Sequence, residues 1–220
     1  FNFLAQLGAN LGGEPFLTLK PCSGVKDLNL WYPEQDPAAV EPYPWCIKQA
    51  GGDSMAVENV TLVNPYQGIL IGPEWNELHY LRNMRIGALK TGIQFDVTTD
   101  IGRLECIRLD PEVWSDSGLP GSPVKGGPHA RWMYENGTGV RMYRSDWEYG
   151  AFVDVRGYRT GFEILTSPKG SPNAQFYAFS ITGCRTALSV LDANGIGVSF
   201  TACTFEGDDA GIATPPGMSA

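Results

Sequence analysis

Asp100, Glu105 and Asp110 stand five residues apart in a stretch that also carries Arg82, Arg85 and Arg108. These residue types suit acid–base work on a glycosidic bond. Two carboxyl groups facing one another across a sugar divide the roles of general acid and of base or nucleophile. Their separation, roughly 5 Å or roughly 6.5–9.5 Å, decides retention or inversion. Guanidinium groups alongside would grip a uronate carboxylate through forked hydrogen bonds. Trp31, Tyr32, Tyr43, Trp45, Tyr66 and Trp114 supply flat apolar faces with a polar handle, which suits stacking on sugar rings. His79 and His129 add groups that titrate near neutrality. The catalytic expectation therefore rests on Glu105, Asp110 and Asp100. The binding expectation rests on Arg82, Arg85, Arg108, Tyr66, Tyr32, Trp45, Trp114 and His79.

A plainer role fits the same residues. In register, Glu58, Arg82 and Glu105 form one outward column, and Thr61, Arg85, Arg108 and Asp154 form the next, with Asp110 near Arg156. Alternating charges at strand spacing make a salt-bridge ladder on a soluble surface, contributing about 0–1 kcal/mol per pair. The aromatics would then pack loops against the barrel, and two isolated histidines would be structural. Both readings stand at this level.

The elements that must hold these residues come from a repeat. Residues 59–71 and 83–95 share one outline 24 positions apart, and residues 178–190 and 202–214 repeat it at the same spacing. A fixed period in this range means a solenoid. Val60/Leu62, Met84/Ile86, Ile107/Leu109, Val153/Val155 and Phe179/Ile181 alternate with polar or small residues, as do Ile69/Ile71, Ile93/Phe95, Val140/Met142 and Phe162/Ile164. Period-two alternation is a strand with one buried face. A further apolar position three before each first pair (Val57, Leu81, Leu104, Phe176, Phe200) marks a third short strand. The expected fold is all-β, a right-handed single-stranded parallel β-helix of about seven coils forming one domain over residues 1–220.

Two stretches exceed the minimal coil, at residues 31–46 and 110–139, and both leave the register at the same corner. Insertions in a solenoid collect on one face, where function usually sits. They are expected to rise as two walls over the short corners of the second and third coils, with a cleft between. Residues 1–13 lack the basic start of a signal peptide and read as a short amphipathic cap over the open end.

Composition removes other classes. The formal charge is −8 with no basic block, which argues against nucleic acid as partner. No apolar run approaches the ~18 residues of a membrane helix. Cys22, Cys46, Cys106, Cys184 and Cys203 have no metal-like spacing and read as small buried residues, with one disulfide, Cys22–Cys46, left open. No metal site or cofactor is expected.

The repeat, together with YPEQ at 32–35, PYPW at 42–45, NPYQGI at 64–69 and DIGRLE at 100–105, resembles the pectate-lyase-like superfamily. More narrowly it is similar to bacterial glycoside-hydrolase-28-related or "pectate lyase 3" β-helix proteins. The resemblance implies carbohydrate chemistry, with a polysaccharide or oligosaccharide partner at an extracellular or cell-surface location. Hydrolysis of a plant or microbial polysaccharide is the leading expectation. The alternatives are a non-catalytic glycan-binding or structural β-helix, and a uronate lyase or epimerase that would need Ca²⁺. Gly207-Asp208-Asp209 resembles the GDD motif of polygalacturonases, but the accompanying aspartate and histidine motifs are missing, and the triplet also reads as turn chemistry.

Overall fold

Buried and outward residues alternate along Val60–Leu62, Met84–Ile86 and Ile107–Leu109, and the chain there is extended. The computed structural model describes residues 3–6 and 13–218 and stacks these strands in parallel into a solenoid of about seven turns. One stack contains β1 (Phe3–Gln6), β3 (Gly24–Trp31), β6 (Ala56–Leu62), β9 (Tyr80–Ile86), β11 (Arg103–Leu109) and β13 (Glu148–Arg156). The other contains β2 (Leu17–Leu19), β4 (Trp45–Gln49), β7 (Gln67–Ile71), β10 (Thr91–Phe95), β12 (Thr138–Met142) and β14 (Thr160–Ile164). In the last turns β15 (Ala174–Tyr177), β16 (Ser180–Val190), β17 (Val198–Thr201) and β18 (Thr204–Ala213) continue both. β5 (Gly52–Asp53) and β8 (Asn76–Glu77) pair at a small corner between the stacks.

Each long strand is two strands in one. Asp27, Asn59, Asn83, Cys106 and Phe152 hold φ between 49° and 57°, and each turns its strand from a first leg, sheet I, to a second leg, sheet II. Sheet I is the third short strand that Val57, Leu81 and Leu104 announce. The left-handed region costs an ordinary side chain roughly 1–2 kcal/mol, and Asn or Asp enters it with local hydrogen-bonding help. Here Asn59 donates to Asp27, and Asn83 Nδ2 donates to Asn59 Oδ1 at 3.0 Å, so the bend carries its own ladder. The second stack is sheet III.

Aliphatic and aromatic residues of all three sheets fill the narrow interior, among them Leu62, Ile69, Phe95, Leu109 and Phe162. Sheet II presses so closely on sheet III that glycine is required there. A Cβ on Gly92 would lie 2.3 Å from Leu109 Cδ2, and one on Gly161 would lie 2.2 Å from Ile181 Cγ2.

Several expectations are corrected. Phe3–Gln6, within the expected cap, is a strand paired with β3, while the rest of that segment up to residue 12 lies outside the described residues. The second insertion contains α1 (Glu112–Ser115) and α2 (Pro128–Asn136). All five cysteines are free thiols, and Cys22 and Cys106 are exposed, because the first sits in a tight turn and the second occupies the outer bend. Cys46 is enclosed, and burial pushes its thiol up to about 12.

Candidate functional site

The three expected catalytic carboxylates lie on three different parts of one turn. Asp100 is exposed in the corner before β11. Glu105 points outward from sheet I and accepts a hydrogen bond from Tyr80 Oη at 2.7 Å. Asp110 is buried at the end of sheet II, where it receives the Arg108 guanidinium and the Val113 N–H, the latter at 3.1 Å. The bend at Cys106 turns the chain between Glu105 and Asp110, so they do not share a face. Asp110 caps the start of the insertion instead. Arg82 keeps its register between Glu58 and Glu105, while Arg85 and Arg108 align with Thr61 and Asp154 on sheet II.

The expected cleft is filled by its own walls. Tyr32 N–H donates to Asn64 Oδ1 and Asn64 Nδ2 donates to Tyr32 O, both at 2.9 Å, binding the first insertion to the second-coil corner. Over the third-coil corner, Tyr158 Oη donates to Ala88 O at 2.8 Å and Lys90 Nζ to Asn136 O at 2.9 Å. Ala88 and Leu89 are fully buried as a result. Trp114 is 1% exposed and edge-on to His129, with ring centroids 5.5 Å apart, so it anchors the insertion and offers no face to a ligand. Tyr32 is likewise buried against Tyr43 at 4.8 Å, and Tyr66 meets Trp132 at 5.9 Å. His79 lies inside the solenoid. Trp45 stays partly exposed at the start of β4.

A different set of side chains converges, on the outer face of sheet III. Thr91, Thr138, Thr160 and Thr186 align in one column, the first three buried and Thr186 partly exposed. The residues just before them include Lys90, Arg159 and Arg185, which puts cations along one edge of the threonines. Two rungs on the other side carry Arg141 and Glu163, joined by a 2.8 Å ion pair. Arg185 pairs with Asp209 at 2.9 Å. Arg159, Thr160, Glu163, Arg185, Thr186 and Ser189 line a groove of about 320 Å³. At its edge α2 reaches across, Tyr134 Oη donating to Asp208 Oδ2 at 2.6 Å.

The electrostatics of this face run against the chain as a whole. Arg159 and Arg185 line the groove against Glu163 and Asp209, and Lys90 and Arg141 on the turns before it add two further cations to the face, on a chain of formal charge −8. Lys90 is held below the ordinary lysine range, first by burial and then by the neighbouring Arg141 and Arg159 charges. Arg159 makes no ion pair among the described residues. Positive charge, the hydroxyls of Thr186 and Ser189 and two acceptor carboxylates can grip an anionic, hydroxyl-rich ligand. Among the described residues no group of three or more His, Cys, Asp or Glu side chains could hold a metal ion. The signal for this face is in the sequence. Lys90 and Arg159 each precede a Thr-Gly-apolar triplet, at 91–93 and 160–162, and the columns of sheet III show it once they are read as closely as those of sheets I and II.

Compared with known protein families, curated proteins and solved structures, the chain finds no match.

Proposed function

We propose that this chain is a carbohydrate-binding parallel β-helix that holds an acidic saccharide against sheet III. The observation that carries this reading is the pair of exposed arginines, Arg159 and Arg185, lining one groove of an acidic chain, with Lys90 and Arg141 beside it on the same face. A carboxylate or sulfate on the sugar would accept forked hydrogen bonds from Arg159 and Arg185. Thr186 and Ser189 would pair with ring hydroxyls, and Glu163 would accept from them. The parallel solenoid and its resemblance to the pectate-lyase-like superfamily support a glycan ligand, which an extracellular or cell-surface protein would meet. Fold-level likeness alone does not assign chemistry, so the site carries the argument.

Binding is favoured over hydrolysis because the carboxylates expected to do the chemistry are dispersed. The acids of the new groove are each engaged by an arginine, Glu163 by Arg141 and Asp209 by Arg185. The test is affinity electrophoresis and calorimetry with polygalacturonate and its uncharged reduced form, at low and high salt. Arg159→Ala with Arg185→Ala is expected to weaken polygalacturonate binding by at least about tenfold, the equivalent of ~1.4 kcal/mol. Equal affinity for the charged and uncharged polymers on this face would sink the proposal. New reducing ends in the same mixtures would add hydrolysis, and ultraviolet absorbance that requires Ca²⁺ would turn the reading to a lyase.

A further inference from the structure

Sheet I carries a second groove whose chemistry differs from that of sheet III. Its outward residues form two columns, Arg103, Tyr149, Gln175 and Ser199 in one, and Glu105, Ala151, Tyr177 and Thr201 in the other. Between them they enclose about 410 Å³. The floor is low because Ala151, the outward residue between Glu105 and Tyr177, is small, and Gly150 beside it faces the core. Gly150 cannot gain a side chain, since a Cβ there would sit 2.6 Å from Phe179 Cζ and 2.7 Å from Phe176 Cδ1 in the core.

Two phenol rings flank that floor on successive turns, about 4.8 Å apart in the stacking direction. Tyr149 is 37% exposed and Tyr177 50% exposed. Tyr177 is steadied by Phe152, which meets it edge-on at 5.7 Å from the strand bend. Around the rings, the side chains of Arg103, Gln175, Ser199 and Thr201 and both phenol hydroxyls make no hydrogen bond or ion pair among the described residues. Sheet III is different, since two of its arginines already hold carboxylates.

This combination selects its occupant. An apolar protein surface laid here would strip water from several donors and acceptors and leave them unpaired, at about 1–3 kcal/mol each. A sugar chain lays an apolar ring face on each phenol and offers hydroxyls to every unused polar group. Arg103 and Glu105 are the two formal charges lining the groove and they cancel, so the field gives no preference to an anion. We propose that the outer face of sheet I is a binding groove for an uncharged saccharide chain, separate from the anionic groove and not dependent on it.

The test is calorimetric titration of the chain with uncharged hexasaccharides of β-1,4-glucan, β-1,4-mannan, β-1,4-xylan and α-1,4-glucan. Tyr149→Ala and Tyr177→Ala are each expected to weaken the bound series by about tenfold. Ala151→Gln, an outward change that fills the floor without touching the core, is expected to abolish binding, with thermal unfolding showing that each variant is folded. Affinity is expected to stay constant as salt rises and to be unaffected by Arg159→Ala with Arg185→Ala. Those two results separate this groove from the anionic one whichever of the two fails. Silence across all four series, or binding that survives Ala151→Gln and both tyrosine changes, overturns the proposal. So does self-association in sedimentation that Tyr177→Ala abolishes, because the face would then be an interface between copies.

Discussion

His79 and Glu148 meet as a hydrogen-bonded pair inside the solenoid with no solvent exposure on either side chain. Their atoms meet at 2.9 Å, Ser145 Oγ donates to the second Glu148 oxygen at 3.1 Å, and the imidazole stacks on Phe95 at 5.2 Å. The pair fits only because Gly102 lies against it, where a Cβ would stand 2.2 Å from both Glu148 Oε2 and His79 Cε1. Removing one member of this buried pair leaves the other without its partner, which costs about 1–3 kcal/mol. Glu148→Ala is expected to lower the unfolding free energy in urea by that amount, and Gly102→Ala by about 1–3 kcal/mol through overpacking. A loss under about 0.5 kcal/mol in Glu148→Ala would show that the pair contributes nothing to the fold. His129 makes a separate pH prediction. Burial pushes it below its ordinary value, against the hydrogen bond to Pro111 O, which raises it. The unfolded chain then takes the proton more readily. Stability is therefore complete above about pH 6.5 and falls as pH drops from there through the lower folded value. Between pH 7 and pH 5 the chain is expected to lose more stability than His129→Gln, and parallel slopes would refute this.

At the scale of elements, the bend between sheets I and II is the part least visible in the sequence. The alternation in Val60/Leu62 and Met84/Ile86, and the extra positions Val57 and Leu81, show three strands per turn. The bend itself is occupied by Asp27, Asn59 and Asn83 early on but by Cys106, Phe152, Ala178 and Ala202 later, so its column has no common residue type. Ala202 holds φ at 55° and is exposed, with no carboxamide ladder to help it. Glycine reaches that region without the Cβ clash but gains more freedom when unfolded, so the two effects partly cancel. Ala202→Gly is expected to stabilise by roughly 0.5–1 kcal/mol, and Asn83→Ala to destabilise by about 1–2 kcal/mol. Matched chemical denaturation curves would measure both, and a destabilised Ala202→Gly would contradict the strain argument. The helices of the second insertion were also hidden, because Asp110-Pro111 and the Gly/Pro/Ser stretch read as loop. Trp114 and Met133 decide otherwise by packing on the third-coil corner. Ala88 and Leu89 were the available clue, since apolar residues in a corner announce a cover and not an open floor.

At the scale of the whole molecule, parity along a strand tells inward from outward but not which of three faces an outward residue joins. Glu105 and Asp110 are close in sequence and both charged, yet the bend puts them on different sheets. Lys90 and Arg185 are far apart in sequence, yet the coils bring them to one. The same coil-by-coil construction governs stability, because each turn leans mainly on its neighbours and free energy accrues from one interface to the next. Leu109, Val140 and Val155 in the middle turns are fully buried, whereas every residue of β17 and β18 is at least partly exposed. Amides of β17 and β18 are therefore expected to exchange through local opening well before those of β11 and β13. Uniform protection along the chain would mean that it opens as one unit. The gradient also reads out ligand binding, because Ser199 and Thr201 of β17 line the sheet I groove while Asp209 of β18 lines the sheet III groove. A saccharide at one hundred times its Kd that binds only the closed turns adds about 2.7 kcal/mol to the opening free energy. An uncharged saccharide should therefore slow exchange in β17, and an acidic one in β18, with little change in β11. If either ligand binds without protecting its own terminal strand, the groove assigned to it is not where it sits.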